Sequence, residues 1–429
     1  MFETVVRPLQ AFIKTEAASG ILLLASAVLA LSWANLQPQG YREVFEVPLT
    51  LAIGGARADF SVQQLINDGL MAIFFFVVGM EIKRELVSGE LNSVGKASLP
   101  AIAAMGGMVL PALIFFALNR GGAGAAGWGI PMATDIAFCV GILALLKGRV
   151  PHALVVFVTA LAIFDDIGGI LVIALFYGHG LNASALLLAA LVLLIAFALN
   201  RAYVVNGLVY GAVGAALWYA LHQAGIHATI SGVLLGLMVP AQAQRNAREV
   251  LIELVRHTQQ LCLKPQDEEL EAAEILAIEE KLEDLQAPCE RFIHLLHPFV
   301  AFLIMPLFAL ANSGVTLTNV SLETLAAPVT LGAALGLFVG KQLGIFGTTL
   351  LALQLGIAPM PRSATYAKLF GVCIIAGIGF TVALFIAALA YPASPALLAQ
   401  AKIGILLGSL LAGVVGFVVL RLTPSADRR

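Results

Sequence analysis

Asp165 and Asp166 stand side by side in a stretch from Val155 to Phe176 that is otherwise apolar but for Thr159 and two glycines. Such a stretch is long enough to cross a bilayer, which takes ~20 residues of helix. A carboxylate at the bilayer centre costs at least ~2.5–3.5 kcal/mol on insertion scales. Two adjacent ones also repel each other, so the pair marks an ion or proton site. Asp135 and Lys341 lie just as deep in predicted spans, while Asp68 and Glu81 fall nearer the ends of one. One Lys–Asp pair could be a buried salt bridge that only fixes packing. Three acids and one base do not cancel, so at least one acid must be protonated, cation-bound or solvated.

The chemistry follows from the donor set. A hard cation such as Na⁺ takes oxygen ligands. The two carboxylates, the Thr134 hydroxyl and backbone carbonyls supply them. Burial and a like-charged neighbour both favour the neutral form of a carboxyl group, and coupled acids titrate as a unit. Protons and the cation then compete for the same oxygens. If only a loaded site can turn between the two membrane faces, competition alone yields exchange. Lys341 can hold one acid ionised when the site is empty.

The backbone around these residues is expected to break. Gly129-Ile-Pro-Met-Ala-Thr-Asp135 reads as a break at the start of a short span. Gly371 to Thr381, with Gly377 and Gly379, is a comparable weak point, although two glycines also serve close helix packing. Interrupted segments at corresponding positions of two halves are the signature of an inverted-repeat transporter. Half-helix ends expose partial charges, for which Asp135 suits positive N-terminal ends and Lys341 negative C-terminal ends.

These residues must be positioned by a membrane scaffold. Of the 429 residues, 60% are hydrophobic and 12% charged, against about 25% charged in a soluble domain. The net charge of −2 gives no reason to expect nucleic-acid binding. Cys139, Cys262, Cys289 and Cys373 form no CxxC pair, so neither a disulfide framework nor a metal cluster is expected. The polar lead-in with Glu3, Arg7, Lys14 and Glu16, without a small-residue cleavage site, predicts an uncleaved first helix rather than a signal peptide.

The expected fold is an all-α polytopic membrane protein with about twelve transmembrane helices, near 17–34, 65–86, 98–118, 130–146, 152–177, 183–200, 204–222, 227–240, 293–312, 327–355, 366–390 and 399–420. The span 327–355 reads as one long helix or two segments. Spans three to five and ten to twelve would be the inverted repeats, with two discontinuous helices crossing. With both termini inside, 19 of the 24 Lys and Arg fall in inside segments and four outside, Lys341 being within a span. That asymmetry predicts cytoplasmic termini. Residues 1–429 thus form one transporter domain with two appendages. Alternation around Gly54-Gly55 predicts a small outer β-hairpin over 47–61, against an irregular loop. The polar stretch 243–291 predicts a cytoplasmic helical hairpin broken at Lys264-Pro265. Leu251, Leu254 and Leu261 lie on one face of its first half, and Ile275, Ile278, Leu282 and Leu285 on one face of its second. Nine acids between Asp267 and Asp284 against one base, Lys281, argue against its lying on anionic lipid. It is either a solvated insertion or a regulatory element.

At these residues the chain resembles the bacterial NhaA sodium/proton antiporters. The matching blocks run from Val78-Gly-Met-Glu81-Ile-Lys-Arg-Glu85, through Ile130-Pro-Met-Ala-Thr134-Asp135 and Ala160-Leu-Ala-Ile-Phe-Asp165-Asp166, to Gly225-Ile-His227-Ala-Thr. They continue with Pro306 to Gly314, Gly340-Lys341-Gln-Leu-Gly and Gly377-Ile-Gly379-Phe-Thr381. Together they span nearly the whole chain, in order. The resemblance implies electrogenic exchange, more protons entering than Na⁺ or Li⁺ leaving, across the bacterial inner membrane. It implies Na⁺ at Asp165 and Asp166, a bridge from Lys341 to Asp165, and Asp135 with Thr134 at the crossing of the broken helices. It also implies no cofactor and a homodimer formed through the 47–61 hairpin. Asp166 is favoured for direct cation binding and Asp165 for the proton-linked bridge.

The resemblance further implies pH sensing by a cytoplasmic cluster that includes Glu81 and Glu85 and the start of the ninth span. There the family pattern has a Glu before the first His, where this chain has Ile293 before His294, and a Lys where this chain has Glu290. With the acidic insertion directly upstream, a shifted or rewired pH response is expected. His227 is either part of that response or a packing residue, and His294 and His297 equally suit an ordinary interfacial role. Three rival classes remain: the same fold with another cargo such as K⁺ or an organic anion, a channel, and an intramembrane aspartyl protease. The carboxylates argue against an anion, and the Tyr-Asp and Gly-x-Gly-Asp pattern of such proteases does not occur.

Overall fold

A computed structural model describes residues 16–53, 56–89, 91–146, 148–178, 180–243, 245, 247–262, 272–317 and 321–424. The lead-in before Glu16, the Gly54-Gly55 turn and the Lys264-Pro265 break therefore lie outside the described residues. In chain order the main elements are α1 (Glu16–Leu36), β1 (Pro48–Ile53), β2 (Ala56–Ser61), α2 (Val62–Val87), α3 (Val94–Leu118), a 3-10 segment (Ala123–Met132), α4 (Ile136–Leu145), α5 (His152–Phe176), α6 (Ala183–Arg201), α7 (Gly207–Gln223) and α8 (Ile230–Met238). There follow α9 (Ala247–Cys262), α10 (Ala272–Asp284), α11 (Pro288–Asn312), α12 (Pro328–Gln354), α13 (Tyr366–Ile375), α14 (Phe380–Ala390) and α15 (Pro395–Leu422).

Among the described residues eight helices are long and apolar enough to cross a membrane, namely α1, α2, α3, α5, α6, α11, α12 and α15. In lipid a helix satisfies its own backbone polar groups, which is why long apolar runs take this form. Two bent pairs bring the number to ten: the 3-10 segment with α4, at 43°, and α13 with α14, at 44°. The chain is a multi-pass membrane protein. The regions of α7 and α8, also expected as spans, have 17 and 9 residues and fall short of that length. Residues 328–354 form one continuous 27-residue helix, the first of the two forms expected.

The elements sort into two compact units. The first comprises Met1–Met71, Glu90–His179 and Phe299–Arg429. Its most extensive packing is between α3 and the second half of α12. Gly106 and Gly344 sit at that crossing, where a Cβ on either would run into the other's carbonyl oxygen. Among the described residues three helices carry π turns, at Leu65–Leu70 in α2, Val300–Ile304 in α11 and Gly336–Gly340 in α12, the last directly before Lys341. β1 and β2 pair antiparallel from Pro48↔Ser61 to Ile53↔Ala56, so the expected hairpin forms. Ser61 and Gln64 close a capping box that carries the hairpin into α2.

The second unit comprises Ala72–Gly89 and Gly180–Pro298. Asn182 and Asn206 cap α6 and α7 through backbone N–H groups of the first turn, a common way of satisfying the orphan donors of a helix start. The 243–291 region holds α9 and α10, which pack on each other. Val250, fully buried, anchors α9 in place of the expected Leu251, which is exposed. The pattern is shifted by one residue because Val250, Leu254 and Leu261 share a helix face as well as the expected set does. Ile275 and Leu282 of the predicted α10 face are likewise exposed. Arg245, just ahead of α9, hydrogen-bonds Glu253 on it and holds that exposed carboxyl below the usual range.

Candidate functional site: a buried carboxylate–lysine centre at two helix breaks

The two bent pairs of the first unit touch at their breaks. Ala133–Asp135 links the 3-10 segment to α4, and Ala376–Gly379 links α13 to α14. The break in the first pair thus lies in the middle of the segment, not at its start, because the Gly- and Ala-rich run Ala123–Met132 coils as a 3-10 helix ahead of it. The Asp135 N–H donates to the Ile378 carbonyl across 2.7 Å. Gly379 lets Ala133 come close: a Cβ there would stand 2.9 Å from the Ala133 carbonyl oxygen and 2.6 Å from the Leu337 side chain. A Cβ on Gly377 would meet the Leu337 carbonyl at 2.6 Å. These glycines therefore serve both the break and the close packing.

Asp135 serves two helix starts at once. Its Oδ1 accepts from the Phe138 N–H at 3.0 Å in the first turn of α4. Its Oδ2 accepts from the Thr381 N–H at 3.1 Å and the Thr381 hydroxyl at 2.5 Å in the first turn of α14. One buried carboxylate thus faces the positive ends of two helices, the favourable placement for an anion. The facing C-terminal ends have their own partners. Lys341 Nζ donates to the Met132 carbonyl at the end of the 3-10 segment. Cys139 Sγ lies 3.1 Å from the Ile375 carbonyl, and Thr134 Oγ1 lies 3.0 Å from that of Ala376, both at the end of α13.

The charged centre lies beside this crossing. Lys341 Nζ stands 2.7 Å from Asp165 Oδ2, and both side chains are wholly shielded from solvent. The π turn ahead of Lys341 sets the rotation that aims it there. Thr134 Oγ1 also stands 2.7 Å from Asp165 Oδ2. Its single proton can serve either the carboxylate or the Ala376 carbonyl, and the shorter distance favours the carboxylate. Asp165 Oδ1 is buried with no hydrogen-bond partner among the described residues, an unusual state for a carboxylate oxygen. Asp166 follows on α5, where successive side chains point ~100° apart, and its exposure is 7% against 2% for Asp165.

Thr134, Asp165 and Lys341 are therefore joined through direct contacts, with Asp135 following Thr134 in the chain and Asp166 following Asp165. Thr381 and the carbonyls of Met132, Ala376 and Ile378 belong to the same centre and were absent from the sequence assignment. A carbonyl has no signature in the sequence, and Thr381 stood only as part of the Gly377–Thr381 block. The arrangement offers a dry ion pair, an orphaned carboxylate oxygen and a second carboxylate, all oxygen donors suited to a hard monovalent cation and to protons. Among the described residues no group of three or more His, Cys, Asp or Glu could hold a resident metal.

The other residues singled out for pH sensing fall in the second unit. Glu81 and Glu85 lie on α2 and are half-buried, and Arg84 pairs with Glu85 at 3.2 Å. Glu290 and His294 are exposed on α11. The charges of Lys83, Arg84, Glu290 and Glu81 all act on buried Cys289, whose thiol lies 3.3 Å from the Met80 carbonyl. Lys83 Nζ donates to the Val239 carbonyl at 2.5 Å. His227 stands in the turn before α8, its carbonyl accepting from the Ile230 N–H.

Comparison with known proteins agrees with this geometry. Residues 10–420 match the family described as Na⁺/H⁺ antiporter 1. A protein of Anaeromyxobacter sp. (strain Fw109-5) described as Na⁺/H⁺ antiporter NhaA is 57% identical over 430 residues, covering 100% of this chain and 94% of its own length. One of Myxococcus xanthus, described as Na⁺/H⁺ antiporter NhaA 1, is 55% identical over 98% of this chain and 94% of its own. One of Syntrophobacter fumaroxidans is 44% identical over 97% and 90%. With a family match across nearly its whole length and full-length relatives above half identity, this chain belongs to the Na⁺/H⁺ antiporter 1 family.

Proposed function

We propose that the protein exports Na⁺ or Li⁺ in exchange for a larger number of protons, by alternating access at Asp165 and Asp166. The observation that carries this is the Asp165–Lys341 pair, shut away from water at the junction of two broken spans, with one carboxylate oxygen left unbonded. Without cation, Lys341 and Thr134 hold Asp165 ionised through Oδ2. A cation entering from the cytoplasm takes oxygens of Asp166 and Asp165 and weakens the hold of Lys341. After release outside, protons reoccupy the acids and remove the charge that binds the cation, so the two cargoes exclude each other. Asp135 stays ionised between the two helix starts and keeps the breaks together while the segments around them move. The relatives' names give Na⁺ and H⁺ as their cargoes.

Around this core we assign twelve spans, α7 and α8 completing the ten, with both termini in the cytoplasm of the inner membrane. The spans from α3 to α5 and from α12 to α15 are read as inverted repeats, each with one bent pair as its middle segment. The β1–β2 hairpin would face the periplasm and join two copies into a homodimer. Glu81, Glu85, Glu290 and His294, with His227, form the proposed cytoplasmic pH response, next to the acidic insertion.

The test is dissipation of a pH gradient in sealed everted vesicles on adding Na⁺, Li⁺ or K⁺. Exchange predicts a response to Na⁺ or Li⁺ that steepens with membrane potential, and its loss in Asp166→Asn. A response to K⁺ alone would make the protein an exchanger of another cargo. Undiminished Na⁺ and Li⁺ exchange in Asp166→Asn would overturn the site assignment.

A further inference from the structure

Two tyrosines far along the chain from each other grip the outer half of the first broken span. Tyr177, directly after α5, donates its hydroxyl to the Ala126 carbonyl at 2.8 Å. Tyr391, directly after α14, donates to the Gly124 carbonyl at 2.6 Å. Each hydroxyl also lies against the residue three further on, Gly129 for Tyr177 and Gly127 for Tyr391, where an added Cβ would meet it. Positions i and i+3 are the spacing of a 3-10 hydrogen bond. Both hydroxyls therefore bridge the ladder of the 3-10 segment itself. Gly127 and Gly129 have no room for a Cβ beside these rings, the latter at 3.0 Å from the Tyr177 hydroxyl. Trp128 adds an edge-to-face contact with Phe176, ring centroids 5.1 Å apart.

The arms that carry these tyrosines also carry the charged centre. Tyr177 ends the helix of Asp165 and Asp166, and Tyr391 ends the helix whose first turn holds Thr381. Each helix thus touches the 3-10 segment and its break twice: α5 at Asp165–Thr134 and Tyr177–Ala126, α14 at Thr381–Asp135 and Tyr391–Gly124. From Asp165 to Tyr177 α5 rises ~18 Å. Residues 126–132 cover ~12 Å at 3-10 rise and the two extended residues of the break ~6–7 Å more, a similar length; at α rise residues 126–132 would cover only ~9 Å. A segment that relaxed to α geometry would draw the Met132 carbonyl and Thr134 away from Lys341 and Asp165.

We propose that Tyr177 and Tyr391 are positioning residues for the cation site: by bridging the 3-10 ladder they hold the Met132 carbonyl and the Thr134 hydroxyl against Lys341 and Asp165. This rests on the assignment of cation binding to Asp165 and Asp166. The role is one of affinity, because the tyrosines set the resting geometry of the donors and take no part in proton or cation transfer.

The experiment compares Tyr177→Phe, Tyr391→Phe and the double variant, in the full chain, with the parent and Asp166→Asn in the same everted vesicles. Apparent KM and maximal rate are measured for Na⁺ and for Li⁺, with membrane content and thermal stability in detergent as controls. Loss of one hydroxyl is expected to raise KM about threefold to tenfold and loss of both to raise it further, with maximal rate within about twofold. Thr134→Val is expected to add less to KM in the double Phe variant than in the parent, since the donor it removes is already displaced. An unchanged KM in the double variant overturns the proposal, as does a fall in maximal rate at constant KM. If the double variant does not accumulate, the single variants decide by the same criteria. Active Asp166→Asn instead removes the site assignment beneath the proposal, an outcome distinct from wild-type kinetics in the Phe variants beside an inactive Asp166→Asn.

Discussion

Thr381→Val replaces a hydroxyl by a methyl at a fully buried position, with almost no change of shape. The hydroxyl donates to Asp135 Oδ2 at 2.5 Å, where the remaining donor is the Thr381 N–H at 3.1 Å. A hydrogen bond to a charged group is worth ~1.5–3 kcal/mol net, and a carboxylate oxygen that loses its closer donor but keeps a second one sits near the middle of that range. Valine is not a polar isostere, but its added methyl carbon occupies the volume of the oxygen, so no cavity term of consequence enters. The expected cost is ~2 kcal/mol, about a thirtyfold change in an equilibrium constant. Thr381→Ser, which keeps the donor, should recover most of it. The measurement is a double-mutant cycle on detergent-purified protein, following unfolding in parent and Asp135→Asn backgrounds. If the hydroxyl acts through the charge of Asp135, Thr381→Val costs ~2 kcal/mol in the parent and much less beside Asp135→Asn, leaving a coupling of at least ~1 kcal/mol. Equal costs in the two backgrounds would refute the view that one carboxylate ties the two breaks together.

Two further expectations concern regions away from the charged centre. Tyr41 donates to the Leu310 carbonyl at 2.6 Å and accepts from the Gly314 N–H at 3.3 Å, and burial pushes its hydroxyl from 10.0 up to about 12. The folded state thus favours the neutral phenol, so its contribution to stability is complete below pH 10.0 and declines as pH rises toward about 12; Tyr41→Phe should flatten that alkaline decline, and an unchanged decline would contradict the assignment. Replacing residues 243–287 by a short Gly/Ser linker should leave Na⁺ exchange intact and move the midpoint of its pH–activity curve by at least half a unit, about 0.7 kcal/mol of differential protonation energy; an unmoved midpoint would make the acidic insertion a passive appendage.

The charged centre was legible because its cost is legible: Asp165, Asp166, Asp135 and Lys341 are expensive wherever they lie in an apolar run, and expense points to use. What the sequence could not supply was which atom meets which. On composition alone Lys341 could reach any of three acids; its bridge to Asp165 entered only through the family resemblance, and the π turn ahead of it is announced by no residue type. Thr381 escaped the assignment because threonine is ordinary in helices and its partner lies 246 positions away. The hairpin came through because alternation and a Gly-Gly pair are local signals. The break near Asp135 lies within the expected Gly129–Asp135 stretch, but the half-span ahead of it was not legible. Ala123–Met132 has three glycines and a proline and reads as loop, yet tyrosines from two other helices hold it as a 3-10 coil. The α9 face slipped by one residue because a helix with apolar residues at both 250 and 251 leaves its rotation to tertiary contacts.

The π turn at Gly336–Gly340 also bears on how this protein can change length over time. A π turn amounts to one residue more than a regular helix would use over the same rise. Deleting any one of those five residues would restore a regular α-helix and improve local geometry. It would also turn everything on one side of the deletion by ~100° relative to the other. Lys341 would then leave Asp165, or the N-terminal part of α12 would lose its register against its neighbours. Surface loops in general tolerate gained or lost residues. The stretch between Pro328 and Lys341 does not, and an alignment gap there should be read as a change of mechanism rather than as drift.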